Sequence, residues 1–103
     1  MPKDKSSAIT FGQVKIKLDG DTLTLKPTLS ALLSIEDDFG GLASAVQSLG
    51  AFNIRAVACV IAAGAGVDIS SEEDATKMQK AICNYGIADA AAIAIEFTTS
   101  LLN

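Results

Sequence analysis

The sequence predicts an α+β fold, mainly α, in which an N-terminal β-hairpin packs on a bundle of four to five short helices. Three observations predict it. Over residues 13–25 apolar and polar residues alternate on both sides of an Asp19-Gly20 dipeptide. From Leu29 onward the apolar spacing widens to helical intervals, punctuated by glycines at 40–41, 50, 64, 66 and 86. Cap-forming residues (Thr28, Asn53 and Ser70) stand just ahead of those helical runs. At 103 residues the chain suits one domain, read as residues 13–103 behind a flexible arm, 1–12.

The arm, MPKDKSSAITFG, is polar and lacks the apolar core of a signal peptide. In the hairpin, Val14, Ile16 and Leu18 alternate with Lys15 and Lys17, and Leu23 and Leu25 alternate with Thr22 and Thr24. Asp-Gly suits a two-residue turn because both positions tolerate positive φ. That turn sets Ile16 opposite Leu23 and Val14 opposite Leu25, placing all four on one face. A lone hairpin is marginal in water, so this face is expected to lie on the helices.

Pro27 ends the second strand because it has no N–H for the ladder, and Thr28 can cap a helix over 29–39. Leu29, Leu32, Leu33, Ile35 and Phe39, with Leu42 beyond, give that helix a wide apolar stripe, and Gly40-Gly41 supplies a left-handed stop. Glu36, Asp37 and Asp38 sit in its last turn, where the helix dipole disfavours them; a solvated rim is the simpler reading. A second helix is expected over 42–49, ended by Gly50. A third, over 54–65, is capped by Asn53, with Phe52 able to staple onto Val57. Its only charge is Arg55, which predicts a central position. Ser70 with Glu73 matches a capping box for a fourth helix, over 71–84. A fifth, over 88–102, can be capped by Asp89. It carries one apolar stripe at Ile93, Phe97 and Leu101 and another at Ile95 and Leu102.

Charge and composition exclude several functions. The net charge is −4 and unevenly spread. Residues 1–26 carry five lysines (3, 5, 15, 17 and 26) against Asp4, Asp19 and Asp21, a net of +2; the remainder carries Arg55, Lys77 and Lys80 against nine acids, a net of −6. Such a body is a poor match for phosphate backbones, so no nucleic-acid partner is expected. The longest apolar run, Ala56 to Val67, has 12 residues, short of the roughly 20 a membrane span needs; a soluble, cytoplasmic protein is expected.

There is no histidine, the commonest general base and metal ligand. Cys59 and Cys83 form no CxxC pair; they are read as buried free thiols, with a disulfide the lesser alternative. The Gly64-Ala65-Gly66 run follows a helix and lacks a Walker lysine, so it is not a phosphate loop. The acids at 36–38 and 72–74 lack calcium-loop spacing. No catalytic residue, cofactor or metal is expected, and the protein is read as a non-enzyme. What remains is an apolar surplus in the last helix. Either that helix packs centrally, or Ile93, Phe97, Leu101, Ile95 and Leu102 offer part of a patch to a partner.

The order of these elements resembles a known family. The hairpin, then Leu25-Lys26-Pro27-Thr28-Leu29, then Ile35-Glu36-Asp37-Asp38-Phe39-Gly40 is similar to the tail assembly chaperones of gene transfer agents and related tailed phages. In that family an L-[RK]-P-T/S step leads into a helix ending in I-E, a few polar residues and a glycine. Pro27, Thr28, Ile35, Glu36 and Gly40 carry the likeness. Ile54 through Gly64 and Tyr85 through Leu102 resemble its middle and terminal helices, so the resemblance spans about 13–102. It implies a protein that holds the aggregation-prone tape-measure protein soluble while tail-tube subunits assemble, and that is then absent from the finished particle. It also implies a tape-measure partner, contact with the tail-tube protein and self-association as a homo-oligomer. The alternative is a structural minor tail-tube or connector component.

Overall fold

The computed structural model describes residues 13–101. The arm at 1–12 and Leu102 lie outside the described residues. Two strands, β1 (Val14–Leu18) and β2 (Asp21–Leu25), are followed by α1 (Leu29–Phe39), α2 (Leu42–Gly50), α3 (Ile54–Ala65), α4 (Glu72–Tyr85) and α5 (Ile87–Leu101). The fold is α+β and mainly α, a hairpin with five helices.

The hairpin has the register that its turn dictates. Val14 pairs with Leu25, Ile16 with Leu23 and Leu18 with Asp21. Asp19 and Gly20 adopt φ of 52° and 87°, the double left-handed turn whose twist matches that of antiparallel strands. Ile16, Leu18 and Leu25 are buried, while Lys15 and Lys17 face solvent. The inner face rests on α3, α4 and α5. Where β2 ends, the Lys26 N–H donates to the Gly64 carbonyl of α3 at 3.0 Å, tying the strand end to the central helix.

Helix α3 contacts all four other helices and β2. Seven of its residues are buried, including Val57, Val60 and Ile61, as its near-absence of charge predicts. The Asn53 carboxamide oxygen accepts from the N–H groups of Arg55 and Ala56 at 3.0 and 3.1 Å, and Gly66 closes the helix at φ 72°. Phe52 is not a buried staple. It takes a left-handed φ of 59° and is 55% exposed.

Two caps differ from expectation. For α4 the cap is Ser71, whose hydroxyl accepts from the Asp74 N–H at 3.1 Å. Ser70 is held one step earlier, donating its N–H to the Asp68 carboxylate at 2.8 Å, so the loop turn takes Ser70 and the helix takes Ser71. Glu72, Glu73 and Asp74 fill the first turn, where the dipole favours them. Helix α5 begins at Ile87, directly after Gly86, whose carbonyl accepts from the Ala90 N–H at 2.9 Å. Asp89 therefore lies inside the first turn and is not the cap. Gly50 is the last residue of α2, with Ala51 taking the cap position.

Candidate interaction surface and clefts

Helix α1 is built from both ends. Pro27 is exposed ahead of it, and the Thr28 hydroxyl accepts from the Ala31 N–H at 3.1 Å. At the other end Gly40, at φ 78°, donates its N–H to the Glu36 carbonyl at 2.7 Å. Between these ends only Ala31 and Ile35 are buried. Leu29 is 69% and Leu33 54% exposed, the two most exposed leucines among the described residues. At 3.6 residues per turn they sit about 160° around the helix from Ile35 and Ala31. Glu36 and Asp37 share the Leu33 side, where a shallow depression is lined by Leu33, Ser34, Glu36 and Asp37. No basic residue occupies the last turn. The surface is thus an apolar ridge one helical turn long with carboxylates at its C-terminal end. The apolar stripe of α1 is too wide for its seat on α2 and α3, and Leu29 and Leu33 are the overflow.

The final helix behaves differently from the patch reading. Phe97 is fully buried. Its ring lies against Gly64 of α3, where an added Cβ would stand 2.9 Å from Cε2 and 3.0 Å from Cζ. Ile93, Ile95 and Leu101 are half-buried and packed against the core, while Leu102 lies outside the described residues. Of the two alternatives for this helix, Phe97 takes central packing, and small residues explain it: Ala90, Ala91 and Ala94 let α5 approach its neighbours closely enough to engage more than one side at once. Among the residues that carry the resemblance, Thr28, Ile35 and Gly40 cap, anchor and close α1, Glu36 is exposed on it and Pro27 is exposed ahead of it.

A cleft of about 660 Å³ opens between α1, α3 and the start of α4. Ser34, Asp38, Arg55, Cys59, Asp68 and Glu72 supply its polar and thiol groups. Burial pushes the Cys59 thiol above its ordinary pKa of 9.0, and the Asp38 carboxylate raises it further. A thiol so placed is protonated at neutral pH and is a weak nucleophile. Asp68 shifts the other way. The Ser70 backbone N–H, then the Ser70 side chain, hold its carboxyl below the ordinary 3.8. A second cleft, of about 310 Å³, lies between the hairpin turn and α4, bordered by Asp19, Asp21, Asp74 and Lys77.

Both cysteines are free. Their burial is less than the sequence suggests: Cys59 is half-buried and Cys83 exposed on α4. No group of three potential ligands among His, Cys, Asp and Glu converges among the described residues. No helix there is long and apolar enough to cross a membrane. Compared with known protein families, characterised proteins and solved structures, the chain matches none.

Proposed function

We propose that this protein is a tail assembly chaperone of the kind found with gene transfer agents and tailed phages. In this reading it binds the tape-measure protein in the bacterial cytoplasm, performs no catalysis and leaves before the particle is complete. The observation that carries the reading is the exposed Leu29–Leu33 ridge, on the very helix whose entry and exit hold the family-like residues. Exposed leucines one turn apart present the i, i+4 spacing by which one helix covers another's apolar stripe. The net acidic body adds charge that keeps a loaded complex dispersed. Tail-tube contact follows from the same resemblance.

Co-expression tests this directly. A tape-measure protein co-expressed with this chain should stay in the supernatant, and should pellet when the chain is absent. Equal pelleting in both cases refutes the proposal. Mass spectrometry of purified particles separates it from the minor tail-tube or connector alternative. The chaperone reading expects the chain to be missing, and stoichiometric presence overturns it.

A further inference from the structure

We infer that the arm at residues 1–12 folds back along the cleft between α1, α3 and the start of α4, and covers it in the free chain. The cleft has two unlike ends. Lys26 is bonded to the Gly64 carbonyl, so the start of α1 lies by the end of α3. The Asp38 carboxylate, near the other end of α1, acts on Cys59 in the middle of α3. The two helices therefore run antiparallel. Ala62, Ala63 and Val67 line the end near the hairpin, and Asp38 and Arg55 line the far end. Val67 is 40% exposed and Ile69 only half-buried, which leaves apolar wall without cover among the described residues.

The arm is tethered at the apolar end and is long enough to reach the other. Val14 pairs with Leu25, which puts Gln13 opposite Lys26, about 5 Å away across the ladder. The arm thus leaves the hairpin beside Gly64. From Arg55 to Gly64, α3 rises about 14 Å. Phe11 stands two residues ahead of Gln13 and Lys5 eight, so an extended arm carries Lys5 up to about 27 Å from its root. The chemistry runs in the same order. Phe11 and Ile9, nearest the root, come within reach of Ala62, Ala63 and Val67. Farther out, Lys3-Asp4-Lys5 brings two cations and one acid. Asp38, Asp68 and Glu72 set three carboxylates around the cleft against Arg55, its one cation among the described residues. The lysines match that acidic excess, and Asp4 matches Arg55. At about 660 Å³ the cleft falls within the usual range of binding pockets and has room for several side chains.

Thiol labelling of the full chain tests the inference, with Cys83→Ser leaving Cys59, inside the cleft, as the only thiol. The purified protein is treated with N-ethylmaleimide at pH 7, and the rate is followed by mass spectrometry. Ile9→Ser/Phe11→Ser removes the apolar anchors, and Cys59 should then label about fivefold faster than with the native arm. Lys3→Ser/Lys5→Ser should speed labelling about twofold. Removing cations near a thiol would by charge alone raise its pKa and slow the reaction, so a faster rate reports lost cover. Circular dichroism and the urea midpoint check that the domain is unchanged. Unchanged or slower labelling in either variant overturns the inference, the cleft then standing open to a separate partner. The inference is independent of the phage reading. Labelling that ignores the arm refutes only the covered cleft, and failure to protect the tape-measure protein refutes only the chaperone.

Discussion

Replacing Gly64 with alanine puts the relation between the hairpin, α3 and α5 to a direct test. In open helix the change should stabilise by about 1 kcal/mol, since glycine is the weakest ordinary helix former. Here the new methyl carbon would lie 2.9 Å from the Phe97 ring and 3.0 Å from the Leu25 Cβ. Phe97 and Leu25 are both fully buried, so neither can swing aside without displacing the core. Overpacking of this kind costs about 1–3 kcal/mol, so the net effect of Gly64→Ala is a loss of about 1 kcal/mol. Gly50 is the control. It ends α2, and a Cβ there meets nothing within 4 Å. Gly50→Ala should therefore be neutral or slightly stabilising. Urea unfolding, with midpoints compared at constant slope, reads both. Adding Phe97→Leu should couple with Gly64→Ala, giving a double variant that loses less than the sum of the singles. If Gly64→Ala stabilises as much as Gly50→Ala, the Phe97 ring is not seated on α3.

Other expected outcomes concern caps, thiols and the ridge. Ser71→Ala should cost about 1 kcal/mol in urea unfolding, whereas Ser70→Ala, which keeps its backbone N–H to Asp68, should cost well under half of that. Maleimide labelling at pH 7 should modify the exposed Cys83 first. Cys59 has a raised pKa and so forms less thiolate than an ordinary thiol at a given pH; its labelling should lag, and should keep rising with pH past 9.0, where an ordinary thiol is already levelling off. Equal rates at pH 7 would contradict its half-buried position beside Asp38. Leu33→Glu should leave the unfolding free energy within about 0.5 kcal/mol of wild type, as an exposed position does.

Much of the fold is legible in the sequence because local chemistry decides it. Asp19-Gly20 dictates the hairpin register, and Thr28 and Asn53 cap where their hydroxyl and carboxamide groups stand ahead of apolar runs. The start of α4 was ambiguous for a physical reason. Ser70 and Ser71 each have an acid three residues on, and only the competing Asp68–Ser70 hydrogen bond decides between them. The surface was harder to read. In α5, apolar residues on several sides look like a surplus until Ala90, Ala91 and Ala94 are seen to bring the helix close to its neighbours. In α1, five apolar residues look like one inward stripe. The residues seated against α2 and α3 are Ala31 and Ile35, which leaves Leu29 and Leu33 outside. Helical-wheel arithmetic hints at this overflow, because leucines at 29 and 33 and isoleucine at 35 cannot all point the same way. Which side faces the core depends on where α3 lies, and that is a tertiary fact.

The ridge on α1 is the centre of the functional account, and one measurement bears on it most directly. Tape-measure protein is co-expressed with wild-type chain or with the Leu29→Glu/Leu33→Glu variant, and the soluble fraction is compared after centrifugation. With both leucines replaced on a fold that circular dichroism shows intact, the tape measure should pellet as though no chaperone were present. A variant that keeps it as soluble as wild type does would contradict the account.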